Sequence, residues 1–380
     1  MNEIDLFIIA GEASGDLQGS HLVQELLRIR PSLKIGAVAG PLMRTLKIKP
    51  LFRMEDLQVM GFIDVLLALP QIYRQFKAIR EKILELSPKA VLCIDYPGFN
   101  LRMQRSLRKK GYRGKLIHFV CPTVWAWGKK RIPLMAKNLD LLLTLFPFEK
   151  ACFSHTSLPV AYVGNPIAAK AAAFIPSKTF RQKYQIGEAQ KILSLFPGSR
   201  KKEIERNLKV QIETAQEMQA LDPTLQITLS IAHSDLEETI RTLAQDLKAI
   251  YIRPADTYDL MKASHVSLAT SGTVTLELAL HGTPTVVNYA IRPLDCFLAQ
   301  KIFRIHLPFY CIVNIIASER IFPELFGPQL TGEQMFFWTQ KLWLDEGERR
   351  TVLAGCDKVR KSLGINNAAE SAAEKIFSIL

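Results

Sequence analysis

The stretch that most constrains this chain is 265–284, an apolar run that turns through small residues into a helical pattern. His265 to Ala269 reads as a buried strand and 270–273 as a turn. Leu276, Leu278, Ala279 and Leu280 suit a helix, which Gly282, Thr283 and Pro284 end. That helix starts at a glycine turn, so its free N–H groups and positive dipole end face whatever sits at the strand tip. The result is a ready anion site, to which Ser271, Thr273 and Thr275 add hydroxyl donors around Gly272. Glu277 lies one turn in, where a carboxylate suits a ribose diol better than a phosphate. An ordinary helix cap, with Glu277 merely favouring the dipole, fits the same residues.

The strand, tip and helix unit recurs along the chain. Residues 4–10 form an apolar run, followed by Gly11-Glu12-Ala13-Ser14-Gly15-Asp16 and a helical pattern through Leu22, Val23, Leu26 and Leu27. This opens a parallel α/β sheet and puts 11–16 at a strand's C-terminal tip, where such sheets bind ligands. The glycines do not fit G-x-G-x-x-G, and Ser14 or Asp16 also serves as a helix cap. Strands are predicted at 33–39, 90–94, 115–120, 139–145 and 160–163. Asp95 ends the third of these six before a Pro-Gly turn, a position suited to proton transfer or to capping the helix near Asn100. Trp125 and Trp127 sit together in a loop, suited to packing under a site or stacking on a flat ligand. Gly164-Asn165-Pro166 breaks the first half, and 168–176 reads as a linker of small residues.

The second half repeats the logic, with strands at 191–196, 227–231, 249–252 and 265–269, and the last at 285–288. Pro197-Gly198-Ser199-Arg200 is another tip, where Gly198 allows close backbone approach and Arg200 offers a forked donor for phosphate oxygens. An arginine in a helix's first turn is electrostatically poor unless it has such a task. His233, in the loop after its strand, reads as a surface histidine. Segment 311–320 reads as an apolar loop, 297–303 as amphipathic, and the chain ends in helices.

At 380 residues and 48% hydrophobic, the chain exceeds the roughly 250–300 residues at which one core stops growing. A formal charge of +13 points to a solvated basic surface or an anionic partner. No block of basic residues resembles a nucleic-acid tail. Six cysteines with no C-x-x-C pair are expected as buried free thiols in a reducing compartment. Glu3 and Asp5 stand where a signal peptide would be basic, so a cytoplasmic location is expected. The run 59–76 is apolar on every side, then narrows to one face with Arg74, Lys77, Arg80 and Lys82 interleaved. Periodicity makes it core; its basic fringe also suits a membrane interface.

Seven motifs then combine in order. They are 11–16, Val59-Met60-Gly61-Phe62, Ile94-Asp95 with Pro97, Phe99 and Asn100, Pro122 to Trp127, Phe146-Pro147-Phe148-Glu149, 196–200 with Glu203-Ile204, and 270–277. With Asn314 and Pro323-Glu324-Leu325, the set resembles the lipid-A-disaccharide synthase family of inverting GT-B glycosyltransferases over nearly the whole chain. The chain departs from the family pattern at Asn165, Tyr96, Gly98 and Glu319.

The resemblance implies an α/β protein of GT-B type: two Rossmann-like doubly wound domains facing across a cleft, with C-terminal helices. Residues 1–166 would bind the acceptor, 167–330 the UDP-sugar, and 331–380 would supply helices able to pack back across the domains. The implied reaction joins UDP-2,3-diacylglucosamine to 2,3-diacylglucosamine 1-phosphate (lipid X), giving the β-1,6 tetraacyl disaccharide 1-phosphate and UDP. Arg200, Ser199, Ser271, Gly272, Thr273 and Thr275 would hold the diphosphate, and Glu277 the ribose. Asp95 is the expected base, with Glu12 and Asp16 as rivals. UDP-sugar is a substrate, so no cofactor is expected, and the absence of any Asp-x-Asp triplet argues against a metal. Acylated sugars also turn the 62–76 face towards a bilayer: Phe62, Val65, Leu66, Leu69 and Ile72 would meet the acceptor or the cytoplasmic leaflet of the inner membrane. A UDP-sugar epimerase and a nucleic-acid binder are the rival readings; monomer and homodimer remain open.

Overall fold

The computed structural model describes residues 4–57, 62–126, 128–292 and 307–380, and for 62–69 the backbone alone. The chain divides into two units, 1–166 with 365–380, and 167–364. Of the helices expected at 331–380, those up to 364 belong to the second unit and 365–380 to the first.

The first unit carries a seven-stranded sheet. Its strands are β1 (Leu6–Ala10), β2 (Ile35–Ala39), β3 (Lys49–Arg53), β4 (Ala90–Ile94), β5 (Lys115–Phe119), β6 (Leu141–Thr144) and β7 (Val160–Tyr162). They lie in the order β3-β2-β1-β4-β5-β6-β7, and every neighbouring pair is parallel. Parallel strands covered on both faces need continuous apolar runs, and β1, β2 and β4 are buried at all five positions. Leu6, Ile8 and Ala10 face one core with Leu22, Val23 and Leu26 of the helix Ala13–Ile29. Ala372, Ala373 and Ile376 of the chain's last helix, Ala368–Phe377, join that core, which places the terminus in this unit. Phe7 and Ile9 face the other core with Ile79 and Ile83 of the helix Phe62–Leu86.

The second unit has six strands in the order β10-β9-β8-β11-β12-β13, again all parallel. They are β8 (Ile192–Phe196), β9 (Gln226–Ser230), β10 (Ile250–Ile252), β11 (Val266–Thr270), β12 (Thr285–Tyr289) and β13 (Glu324–Phe326). Both sheets are doubly wound, reversing direction between β1 and β4 and between β8 and β11.

Four local expectations change, the first being β3, an edge strand at 49–53 that the sequence pattern does not announce. The linker begins with a helix, Pro166–Ala172, because alanine is the best helix former and Pro166 sits at its start. The apolar loop at 311–320 contains a helix, Ile312–Ala317, with Ser318 left-handed behind it. Asn314 binds Ile321 N, Phe322 N and Phe322 O, so its side chain does the work of a neighbouring strand for the returning segment. The expected last strand, β12, gains β13 on its outer edge. Trp127, Cys296 and 297–303 lie outside the described residues, and the other five cysteines are free thiols.

Candidate functional site

Doubly wound sheets bind ligands at the strand tips flanking the reversal, because the connections there leave in opposite directions and open a crevice. In the second unit those tips are Pro197-Gly198 after β8 and Ser271-Gly272 after β11. Both line one cavity of about 720 Å³, within the range that holds a nucleotide-sized ligand.

Gly198 turns with φ +118°, which a side chain rarely adopts, and carries the chain into the helix Lys201–Leu221. Arg200 is the N-cap residue, 79% exposed along its side chain, and lines the cavity. The dipole conflict expected for it is relieved by Glu203, whose carboxylate takes Nη1 at 2.7 Å. One nitrogen is thereby used, and the fork retains donors for an anion.

After β11 the helix Thr273–His281 starts at Gly272 with no side-chain cap. Gly272, Thr273 and Val274 line the cavity, so the first N–H groups of this helix open on it. Thr275 does not: it is fully buried and its hydroxyl donates to Gly272 O at 2.8 Å, which corrects the expectation that it adds a donor. Glu277 lies on the cavity wall, and Tyr258 Oη donates to its Oε1 at 2.8 Å. Burial first raises the Glu277 carboxyl, against the hydrogen bond from Tyr258 and the charge of Lys170.

The cavity also recruits residues beyond those expected: Lys170, Phe174, Ser230, His233 and Tyr258 among them. His233 is exposed, as expected of a surface histidine, and it also lines the cavity because it follows β9, beside the reversal. Behind the tips runs a buried polar chain. Gln211 donates to Asn288 at 2.8 Å, Asn288 to Asn207 at 3.0 Å, and Thr270 to Pro197 O at 2.9 Å. It locks the ends of β8, β11 and β12 into one frame.

In the first unit the reversal lies between β1 and β4, whose tips are Gly11-Glu12 and Asp95-Tyr96. Asp95 and Tyr96 both have φ near +47°, at 48° and 46°, and Val120 at the β5 tip has φ 73°. Three non-glycine residues in the left-handed region cost about 1–3 kcal/mol each, and such strain gathers at working sites. Asn100 holds the bend by donating to Ile94 O and Asp95 O at 3.1 and 2.7 Å. The helix starts at Pro97, and its N-cap is Tyr96, so Asp95 is not its cap. The Tyr96 ring lies where a Cβ on Gly11 would stand, which makes glycine obligatory there.

Burial raises the Asp95 carboxyl, opposed by a backbone hydrogen bond from Tyr96. Glu12 is exposed, yet the protein around its carboxyl raises it too, and the charge of Asp95 adds to that. The two acids thus form an interacting pair, each raised by its surroundings.

Asp16 is not part of that pair. It is 2% exposed, its Oδ1 accepts from Gly40 N and Met43 N, and its Oδ2 accepts from Leu42 N. Both oxygens are spent on the loop after β2, which corrects its candidacy as a base. Ile72 is corrected as well: it packs half-buried against the core that holds Ile79 and Ile83. The side chains of Phe62, Val65, Leu66 and Leu69 lie outside the described residues. Among the described residues no three His, Cys, Asp or Glu side chains are grouped to hold a metal, and no helix is long and apolar enough to cross a membrane.

Residues 6–377 match the family model described as lipid-A-disaccharide synthetase. The lipid-A-disaccharide synthase of Chlamydia pneumoniae is 40% identical over 98% of this chain and 62% of its own length. This chain thus spans about three-fifths of that relative. That of Geobacter metallireducens is 31% identical over 99% of this chain and 97% of its own. Among solved structures, UDP-GlcNAc 2-epimerase from Neisseria meningitidis, bound to UDP-GlcNAc, superposes with TM-score 0.61 at 14% identity, covering 98% of this chain and 99% of its own. The trehalose-6-phosphate synthase OtsA does so with TM-score 0.55 at 12% identity, covering 99% of each. These two similarities concern the fold, which is the GT-B arrangement of two Rossmann-like domains.

Proposed function

The chain belongs to the lipid-A-disaccharide synthetase family, and from that premise we propose that it transfers 2,3-diacylglucosamine from its UDP derivative to lipid X, releasing UDP. The observation that carries this reading is the second unit's cavity, where an uncapped helix start, Arg200 and Glu277 share one wall space. An anion end and a carboxylate end are what a nucleoside diphosphate requires.

In this mechanism the acceptor's 6-hydroxyl oxygen attacks the donor's anomeric carbon as the bond to the UDP oxygen breaks. Asp95 takes the hydroxyl proton. The N–H groups at Thr273 and Val274, with Arg200, receive the charge that grows on the departing diphosphate. Glu277 accepts from the ribose. Glu12, raised by its surroundings and by the charge of Asp95, is the second carboxyl beside the base.

The test is a product assay with both acylated substrates, run with and without a chelator. A tetraacyl disaccharide and UDP are expected in equal amounts, at full rate in chelator. Epimerised UDP-sugar without coupling would refute the function; a rate restored only by magnesium would refute the metal-free step.

The same reading places the protein on the cytoplasmic face of a membrane, supported by the apolar run at 62–69 and the basic residues that follow. Serine at Val65, Leu66 and Leu69 together is expected to lower vesicle co-sedimentation several-fold with melting unchanged. Ile72→Ser is expected to act the other way round, lowering the melting temperature because Ile72 packs on the core. A triple variant that unfolds would return 62–69 to the interior.

A further inference from the structure

We infer that Tyr258 and Lys170 position Glu277 so that the cavity selects a ribonucleotide over its 2′-deoxy counterpart. This rests on the donor reading of the cavity and adds to it the residues that set sugar selectivity.

Glu277 has two carboxylate oxygens. Oε1 is taken by the Tyr258 hydroxyl at 2.8 Å, while Oε2 has no protein donor among the described residues. The phenol's single proton is committed to Glu277, so its oxygen is left as an acceptor. Two acceptors therefore stand side by side on the cavity wall. Vicinal hydroxyls are the matching donors, and a phosphate, being acceptor-rich and anionic, is refused.

The arrangement holds because Tyr258 cannot swing away. Its ring meets Phe174 edge-on at 5.4 Å between centroids, and His281 at 4.5 Å. Lys170 Nζ lies 4.7 Å from the ring centroid on its face. Tyr258 comes from the helix Thr257–Ala263, Glu277 and His281 from Thr273–His281, and Lys170 from Pro166–Ala172. Three helices thus converge on one phenol. A cation over the ring makes the hydroxyl a better donor, and the same charge favours ionised Glu277. Burial keeps the Tyr258 hydroxyl protonated, as its donor role requires, and keeps His281 neutral. A site built to bond a sugar hydroxyl penalises the analogue that lacks it, because the buried acceptor is left unpaired.

Titration calorimetry with UDP and with 2′-deoxy-UDP tests this. The intact chain is expected to prefer UDP by about 10- to 100-fold, the range of one hydrogen bond to a charged group. Tyr258→Phe keeps the ring contacts and loses the hydroxyl. It should weaken UDP about tenfold and leave 2′-deoxy-UDP within about twofold, collapsing the preference. Glu277→Gln should collapse it likewise, and the double variant should show no further loss of preference. Lys170→Met should fall between.

Equal weakening of both ligands by Tyr258→Phe, with the preference intact, would make Tyr258 a packing residue and overturn the inference. So would an intact chain that binds the two nucleotides equally, although the donor reading would then stand. An intact chain that binds no UDP would remove the donor reading itself.

Discussion

Asp95→Ala is expected to lower turnover by about 10²–10⁴-fold, the span a positioned general base contributes, and to leave UDP affinity within about twofold. The division follows from location. Asp95 ends β4 in the first unit, whereas the residues lining the nucleotide-sized cavity belong to the second. The base must be ionised to accept a proton, and burial raises the Asp95 carboxyl. Turnover therefore falls as pH drops through a value above the ordinary carboxylate range.

The neighbour assigns the limb. The two carboxyls interact, so Glu12→Gln is expected to shift the acidic limb without abolishing it if Asp95 is the base. Stability should move opposite to activity. A carboxyl raised in the folded state adds stability below its unfolded pKa, and that stability is lost as pH rises through the folded value. Asp95→Asn removes the cost of burying the charge, so at neutral pH this variant should melt slightly higher while turning over poorly. A variant with near-normal turnover would eliminate Asp95, and one that melts lower would contradict the desolvation account.

Asp16→Ala carries the second large effect, an expected loss of about 3–5 kcal/mol of unfolding free energy. Three backbone N–H groups, of Gly40, Leu42 and Met43, point at its oxygens in a site almost closed to water. Removing the carboxylate leaves those donors without acceptors, at about 1–3 kcal/mol each before water relieves some of it. Asp16→Asn is expected to lose less, because one amide oxygen still accepts from two N–H groups while the amide N–H₂ opposes the third. Urea denaturation followed by far-ultraviolet dichroism reads both variants. Full stability in Asp16→Asn with turnover abolished would restore Asp16 to the chemistry.

Asp16 and Thr275 show where sequence reasoning stops. Each is a polar residue at a strand tip, in the same local pattern as Asp95 and Thr273. Side-chain type gives no way to separate a group facing substrate from one answering an orphan backbone donor or acceptor. That distinction depends on which loop folds over it: the turn after β2 for Asp16, and the helix's own Gly272 carbonyl for Thr275. Tyr258 escapes notice for the complementary reason, since nothing around it in sequence announces that it will line a cavity.

The sequence by itself determined the strand, tip and helix units other than β3 and β13, the tips that carry Glu12, Asp95 and Arg200, the helix that carries Glu277, and the break near Pro166. Those are local matters, set by apolar periodicity and by glycine and proline. Only the tertiary structure decided strand order, and with it which tips meet: β1 with β4, and β8 with β11. Parallel pairing joins segments tens of residues apart, so no window of sequence contains the information. The order emerges when each sheet must bury both faces and satisfy every backbone group at once.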